Sequence, residues 1–301
     1  MVGDAPGGGA GRESFATYKE LMASSGFRPS RRLGQNFLLD PSLHRVLVDA
    51  VDPGPDDLVL EIGPGLGFLT RELAGRTRVL AVEVDQRLVE LLRRELPGFP
   101  GGGDSVRLLH NDALERSRLH PVLVAAIAEE RARLGPDGRF CVVANLPYAI
   151  AGPLIAELTL LQEPPVAMAL LVQLEMARRL AAVHDTRDYG ALTVQLQLNY
   201  DVRFLRRVGA QVFRPRPRVD SGIVHLLART GGCLARTPVE RRAIAGFLRQ
   251  LFSSRRKKLR NARVLRDGPD LPGADELLER RPDAVDPETL LGLWDATQAE
   301  S

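Results

Sequence analysis

The stretch Val142–Tyr148 (VVANLPY) holds the side chains that are best suited to chemistry in this chain. Its first three residues are apolar, which predicts the end of a buried strand. Pro147 fixes its own φ and favours an extended Leu146, so the carbonyls here would point outward at the edge of a sheet, where open α/β folds bind ligands. Asn145 offers an amide oxygen, Leu146 a carbonyl and Tyr148 a flat ring, a set that suits the exocyclic amine of a planar base. By itself the stretch is equally compatible with an ordinary turn.

Three other predicted strands end in residues that could bind a cofactor. A glycine-rich loop, with Gly63 and Gly65, follows the first strand, where glycines allow close backbone approach. A dinucleotide fingerprint would need glycine at position 68, which is Phe68 here. Glu83, at the end of the second strand, can accept both ribose hydroxyls, and Asp112, after the third, can accept an adenine amine. This combination favours S-adenosylmethionine over NAD.

Hydrophobic periodicity predicts the elements that would position these residues. Strands alternate with helices, which predicts a Rossmann-like α/β fold with a mostly parallel, doubly wound sheet. The predicted strands are 58–62, 79–84, 106–109, the run that ends at Asn145, 167–172, 202–205 and an antiparallel last strand, 222–227. From about Thr237 the apolar residues are helix-spaced. We therefore divide the chain into a disordered extension (1–25), a cofactor-binding domain (26–232) and a small helical domain that binds RNA (233–301).

Composition favours a cytoplasmic enzyme, and we expect it to be a monomer. Apolar residues make up 44% and charged residues 26% of the chain, as in ordinary globular proteins. No apolar run approaches the roughly 20 residues needed to cross a bilayer, and the glycine-rich amino terminus has no features of a signal peptide. No His, Cys, Asp or Glu cluster has metal-ligand spacing, so we expect no metal. Cys141 lies in an apolar run and is interpreted as a core residue.

Basic residues are clustered although the net charge is only +3. Such clusters on a balanced chain indicate a nucleic-acid-binding face, although an arginine-rich solvated surface is the plainer alternative. The residues that we expect to bind RNA are Arg31, Arg32, Arg255, Arg256, Lys257, Lys258 and Arg260.

The motifs follow one another in an order that is characteristic of one family. The matching stretches are Leu33–Leu38, Glu61–Gly67, Glu83 with Asp85, Asp112–Ala113, Asn145–Tyr148, Phe213–Ser221 and Phe252–Asn261. From about Arg31 to Leu293 the chain resembles the ribosomal RNA adenine dimethyltransferases of the KsgA type. The family's usual Asn-Ile-Ser after the Tyr is Ala149-Ile150-Ala151 here, which removes two polar groups beside the site.

The resemblance implies a role for each matching residue. For the cofactor, it implies that Asn36 and Leu38 close over the methionine end, that Gly63 and Gly65 form the loop, and that Glu83 and Asp112 hold ribose and adenine. For the target, it implies catalytic roles for Asn145, Leu146, Pro147, Tyr148 and Phe213, with the Tyr148 and Phe213 rings on either side of the adenine.

The implied activity is N6,N6-dimethylation of two adjacent adenosines in the 3′-terminal hairpin loop of 16S rRNA, in the 30S subunit, linked to small-subunit biogenesis. Two alternatives remain open. One is an Erm-type enzyme that methylates 23S rRNA and confers resistance, and the carboxyl-terminal Phe252–Asn261 stretch argues against it. The other is a non-catalytic ribosome-assembly factor, which could lose Asn145, Tyr148 or Glu83 without penalty, yet all three are present. A DNA adenine methyltransferase fits less well, because Leu146 stands where those enzymes usually carry Pro.

Overall fold

The computed structural model describes residues 8–266 and 274–299. Strands in this part of the chain form one large sheet and two short pairs. Their bounds are β1 (Phe37–Leu38), β2 (Leu58–Ile62), β3 (Arg78–Glu83), β4 (Val106–His110), β5 (Leu114–Glu115), β6 (Arg118–Leu119), β7 (Phe140–Asn145), β8 (Ala167–Gln173), β9 (Tyr200–Val208), β10 (Phe213–Arg214) and β11 (Ser221–Ala228).

The large sheet has the strand order β4-β3-β2-β7-β8-β11-β9. The strands from β4 to β8 are parallel, and β11 is antiparallel to both of its neighbours. The parallel strands therefore all end at one edge, and the polar residues that follow them are brought side by side. The predicted α/β class and the antiparallel last strand are both confirmed.

Helices cover both faces of this sheet. Their bounds are α1 (Gly8–Ser25), α2 (Pro41–Val51), α3 (Phe68–Ala74), α4 (Gln86–Glu95), α5 (Pro121–Arg131), α6 (Ala151–Leu158), α7 (Leu174–Leu180), α8 (Ala191–Gln197), α9 (Pro238–Ser253), α10 (Arg263–Arg266), α11 (Asp275–Leu278) and α12 (Pro287–Ala299). Apolar side chains of α2, α3 and α4 pack on one face, and those of α5, α6, α7 and α8 on the other. Strand residues such as Val59 and Leu60 alternate between these two cores, as expected for a sheet that is buried on both sides.

The amino-terminal extension differs from its prediction. We expected residues 1–25 to be disordered, but a helix runs from Gly8 to Ser25, while residues 1–7 lie outside the described part of the chain. Phe15, Tyr18 and Leu21 recur at helical spacing and pack against a small apolar cluster that includes Phe37. This burial supplies the stabilisation that the composition of the segment did not indicate.

The carboxyl-terminal region is helical, as predicted: residues 233–266 and 274–299 contain helices and no strand. A capping box between Thr237 and Glu240 begins α9, where the helical pattern was expected to start. Phe247 of α9 and Trp294 of α12 share a core with Tyr189, which precedes the predicted boundary at residues 232–233. The division into domains remains a prediction. Among the described residues, no helix has the length and apolarity that a bilayer span would require.

Candidate active site

A cleft opens at the edge of the sheet where the parallel strands end. Nearly all the predicted cofactor and target residues line it: Asn36, Leu38, Gly63, Gly65, Glu83, Asp112, Asn145, Leu146, Pro147 and Tyr148. They come from four adjacent strand ends and from β1, so the topology assembles a site from segments that are far apart in the sequence. Their proximity is a finding of the structure, and their individual roles remain predictions.

The glycine-rich loop after β2 forms the floor of the cleft. Gly63 and Gly65 adopt φ values of +69° and +59°, which residues with a Cβ atom rarely adopt. A Cβ on Gly65 would lie 2.9 Å from the Phe37 ring, so only glycine fits there. The loop therefore keeps its backbone open to a ligand while packing against β1.

Glu83 is held rigidly beside this loop. Its Oε1 accepts backbone hydrogen bonds from Val84 and Asp85, both at 2.9 Å, and its Oε2 accepts one from Gly65 at 3.2 Å. Burial raises the pKa of Glu83, although these backbone N–H groups oppose the shift. A carboxylate fixed in this way retains lone pairs for two adjacent hydroxyls, as on a ribose.

Asp112 follows β4 at the far side of the cleft. Its Oδ1 accepts the Leu114 N–H at 3.0 Å, which fixes the start of the following turn. The residue is exposed and lines the cleft, so Oδ2 is accessible to a ligand such as an adenine amine.

The Asn145 side chain links β7 to the segment before β1. Its Nδ2 donates to the carbonyl of Asn36 at 3.2 Å, which turns Oδ1 the other way. The Leu146 N–H donates to the carbonyl of Leu171 at 3.0 Å, an extension of the sheet pairing beyond the strand end. Within the described residues, no hydrogen bond uses Asn145 Oδ1 or the Leu146 carbonyl, so both acceptors are available to a ligand.

Tyr148 lines the cleft and Phe213 does not. The Tyr148 hydroxyl lies 2.7 Å from Ser221 Oγ, which fixes the direction of the ring, and burial raises the pKa of this phenol. Phe213 is fully buried in the core beneath β1, where its backbone pairs with Leu38. The two rings therefore do not both face the cleft. A base between them would require the Phe213 ring to turn out of an apolar core.

The predicted RNA-binding residues fall into two groups. Lys258 and Arg260 both pair with Glu279, and Arg255 lies 3.8 Å from Asp283. The other four have no acidic partner among the described residues: Arg31, Arg32, Arg256 and Lys257. The sequence could not reveal this division, because Glu279 is about 20 positions away from its partners along the chain.

Three residues near the site had no predicted role in ligand binding. Gln35 donates to Asp85 Oδ2 at 2.9 Å and so ties the segment before β1 to the end of β3. Glu61 of β2 and His44 of α2 both line the cleft. His44 is buried, and burial lowers its pKa to about 4. An acidic residue in a buried strand was the one signal in the sequence that could have singled out Glu61.

The charges of the cleft restrict the ligands that it can hold. Three carboxyl groups line it, those of Glu61, Glu83 and Asp112, and none of the described lining residues is Lys or Arg. Phosphate-bearing cofactors such as NAD usually meet basic groups or an open helix amino terminus. A nucleoside that carries positive charge and no phosphate fits this lining, as S-adenosylmethionine does. In the described chain, no group of three or more potential metal-binding side chains comes together, and the absence of a metal remains an expectation.

Comparisons with known proteins agree with this geometry. The family model for ribosomal RNA adenine dimethylase matches residues 26–268. The chain is 38% identical over 268 residues to ribosomal RNA small subunit methyltransferase A of Geobacillus thermodenitrificans, which covers 89% of this chain and 86% of that protein. It is also 38% identical over 280 residues to the protein of the same name from Pelotomaculum thermopropionicum, covering 91% and 90% of the two chains.

Two solved structures resemble the fold. A dimethyladenosine transferase from Plasmodium falciparum has a TM-score of 0.65 at 23% identity, covering 86% of this chain and 96% of its own. The 23S rRNA methyltransferase ErmE has a TM-score of 0.61 at 26% identity, covering 87% of this chain and 99% of its own. The fold of this chain is thus similar to that of known methyltransferases.

Proposed function

The chain belongs to the ribosomal RNA adenine dimethylase family, and we propose that it uses S-adenosylmethionine to dimethylate two adjacent adenosines in the 3′-terminal hairpin loop of 16S rRNA. The observation that carries this proposal is the pair of free acceptors, Asn145 Oδ1 and the Leu146 carbonyl, beside the Tyr148 ring in a cleft of anionic lining. The substrate would be the 30S subunit, so the enzyme would work in the cytoplasm, and we propose that it does so as a monomer.

The order of the strand ends matches the length of the cofactor. Asp112, Glu83, Gly63 and Asn145 follow β4, β3, β2 and β7, which are neighbours in that order. Three inter-strand spacings of about 4.8 Å span roughly 14 Å, close to the length of an extended adenosyl-methionine. Asp112 would hold the adenine and Glu83 the ribose. Asn36 and Leu38 would then lie over the methionine end, beside Asn145.

The target amine needs activation because its lone pair is delocalised into the adenine ring. Asn145 Oδ1 and the Leu146 carbonyl can accept its two hydrogens and so favour a pyramidal nitrogen with a localised lone pair. Bound S-adenosylmethionine supplies a methyl group that is already electrophilic. The residues therefore act mainly by alignment, which can contribute roughly 7–11 kcal/mol to a well-oriented reaction.

The Tyr148 ring would hold the extruded base. A stacked aromatic contributes about 1–3 kcal/mol per base, and the Ser221 hydroxyl fixes the ring in place. After the first transfer one N–H remains, so one acceptor must tolerate a methyl group for the second transfer. The methylated ammonium loses its proton readily to water, so no strong general base is required.

The Erm-type activity is the second candidate, because the ErmE structure is similar over 99% of its length. The identity of 38% to small-subunit methyltransferases, against 26% to ErmE, supports the first proposal. Both activities predict the same cleft, so the difference must be measured on the RNA.

In the experiment, the purified protein and labelled S-adenosylmethionine are incubated with different RNA substrates. We expect label in small-subunit RNA when undermodified 30S subunits are supplied, and none with naked 23S rRNA or with the Asn145→Ala variant. Label in 23S rRNA alone would contradict the proposal and support the Erm-type activity. Tight 30S binding without any transfer would replace it with an assembly factor.

A further inference from the structure

Arg241 is a buried cation that none of the roles above uses. It lies near the start of α9 and is only 2% exposed. Among the described residues, no carboxylate pairs with its charge, and its Nε is buried without a hydrogen-bond partner. Burying a cation without a counter-ion is costly, and in some proteins such a group is retained because it fixes one specific arrangement of the elements that it joins.

The two terminal nitrogens of Arg241 bind backbone carbonyls at the end of α6. Nη2 donates to the carbonyls of Leu161 at 2.6 Å and Gln162 at 3.3 Å, and Nη1 donates to that of Thr159 at 3.4 Å. A helix end of this kind has carbonyls without helical partners and the negative end of the helix dipole. The end of α6 therefore takes the place of a counter-ion for Arg241.

A second arginine joins the same two helices. Arg242 Nη1 lies 3.0 Å from Oε1 of Glu157, in the last turn of α6, and its Nη2 lies 3.4 Å from Oε2. The other contacts of α9 include an apolar core that Phe247 shares with Leu198, and such packing has no preferred direction. A planar guanidinium group with several acceptors does fix a direction. These two arginines therefore set the orientation of α9 relative to α6.

The other end of α6 adjoins the residues that would act on the target base. The helix begins at Ala151, directly after the stretch Asn145–Tyr148. The Ile150 N–H donates to the carbonyl of Pro147 at 3.2 Å, which ties the first turn of α6 to that stretch. A change in the position of α6 would therefore move the proposed target site.

The other end of α9 leads to the residues that would bind RNA. From Arg241 the helix continues to Ser253, about 18 Å further along its axis. The exposed residues Arg256 and Lys257 follow. The contact of Arg241 with α6 thus lies between the proposed RNA-binding residues and the proposed target site.

We propose that Arg241 is a positioning residue for methyl transfer: it holds Arg256 and Lys257 at one distance and direction from Asn145–Tyr148, so that RNA bound to the two cations presents its target adenosine to the cleft. The inference rests on the proposed function, because it takes the small-subunit RNA as the substrate. It assigns Arg241 an effect on the rate of transfer and not on the strength of RNA binding, since the residue is buried and out of reach of the RNA.

The test measures single-turnover methyl transfer on undermodified 30S subunits, together with the Kd for the subunits and for S-adenosylmethionine. Arg241→Met keeps the length of the side chain and removes its donors. We expect the rate to fall by about tenfold or more, since a displacement of 1 Å can cost roughly 100-fold, while both Kd values change less than about threefold. Arg78→Met is the matched control. It removes a hydrogen bond to the carbonyl of Arg133 at the opposite edge of the sheet and should match wild type.

A double-mutant cycle separates positioning from a general effect on folding. In a protein that already carries Arg256→Ala and Lys257→Ala, the cations that Arg241 positions are absent. Adding Arg241→Met to this protein should therefore lower the rate at saturating 30S subunits by less than about threefold. An effect on folding alone would be equal in the two backgrounds, and that result would overturn the inference.

Glu157→Gln tests the same contact between α6 and α9 if Arg241→Met does not fold. It weakens the pair with Arg242, so the rate should fall by about two- to fivefold when Arg256 and Lys257 are present and stay unchanged when they are absent. A rate equal to that of wild type in the first background would contradict the inference.

The remaining outcomes distinguish this inference from the proposed function. If Arg241→Met transfers methyl groups as fast as wild type, or only raises the Kd for 30S subunits, Arg241 has no positioning role and the proposed function stands. If the wild type transfers no methyl group to 30S subunits, the proposed function itself is wrong.

Discussion

The side-chain amide of Asn145 donates a hydrogen bond to the backbone carbonyl of Asn36, 3.2 Å away and 109 residues earlier in the chain. This contact joins the strand end that would bind the target amine to the segment that would cover the cofactor. It also fixes which face of the amide is an acceptor. On the proposed function, orientation of the target and closure over the cofactor would therefore both depend on this one side chain.

Asn145→Ala should nearly abolish transfer, because it removes both the acceptor and the contact with Asn36. We expect kcat to fall at least 100-fold, as for a misplaced reacting group, while the Kd for the cofactor rises less than tenfold. Single-turnover kinetics with equilibrium binding would check this. Gln86→Ala, which removes an exposed contact with Glu90, is the control that should match wild type. A drop in affinity alone, with kcat preserved, would contradict the assigned role.

The Tyr148 ring and its hydroxyl should contribute separately. Tyr148→Phe removes the hydrogen bond to Ser221 but keeps the stacking face, so kcat/KM should fall only a few-fold, and Ser221→Ala should have the same effect. Tyr148→Ala should lower kcat/KM by about 5- to 150-fold, the equivalent of a lost stacking contact of roughly 1–3 kcal/mol. Equal losses in the Phe and Ala variants would show that the ring does not hold the base.

Glu61 should make the cofactor-free protein less stable as the pH rises. Its pKa is about 8 when folded and 4.5 when unfolded, so between these values the folded state binds more protons and the free energy of unfolding falls with increasing pH. The upper limit of this effect is about 1.4 kcal/mol per pH unit.

Glu61→Gln removes the titration and should raise the stability relative to wild type progressively from pH 5 to pH 8. Urea unfolding of both proteins at several pH values measures this difference. The comparison cancels His44, whose lowered pKa acts in the opposite direction below pH 6.5. A difference that is independent of pH would contradict the buried, protonated state of Glu61.

The two groups of basic residues should differ in RNA binding. Arg256→Ala with Lys257→Ala removes two charges without acidic partners, so binding to 30S subunits should weaken and the slope of log K against log[salt] should decrease by nearly two. Lys258→Ala with Arg260→Ala removes two charges of which the shared Glu279 balances one, and should change binding and slope less. Filter binding at four salt concentrations tests this, and equal effects of the two pairs would contradict the division.

The amino-terminal helix should support the cofactor cleft from outside. The Tyr18 ring lies 6.4 Å from that of Phe37, which itself lines the cleft. Tyr18→Ala should lower Tm by about 2–4 °C, as for a loss near 1 kcal/mol in a protein of this size, and should weaken cofactor binding a few-fold. Glu20→Ala, on the exposed side of α1, should leave both Tm and affinity unchanged. An unchanged cofactor affinity in Tyr18→Ala would show that α1 does not support the cleft.

The sequence predicted the sheet and the cleft well, because both depend on local patterns. Apolar runs fixed the strands to within a few residues, and parallel strands necessarily end at one edge, so Glu83, Asp112 and Asn145 could be placed together. Long-range packing could not be predicted from local sequence patterns. The α1 helix depends on its contacts with Phe37. The burial of Phe213 depends on the pairing of its strand with Leu38. The charge of Arg260 is paired with that of Glu279. Each partner lies in a separate segment that no local pattern connects.

The central claim is that this enzyme places two methyl groups on each of two neighbouring adenosines in the small subunit. The most direct test is mass spectrometry of nuclease fragments of 16S rRNA, after undermodified 30S subunits have been incubated with the protein and S-adenosylmethionine. We predict a gain of four methyl groups in the 3′-terminal hairpin fragment, all as N6,N6-dimethyladenosine, and no gain with Asn145→Ala. An unmodified hairpin together with dimethyladenosine in 23S rRNA would contradict the account.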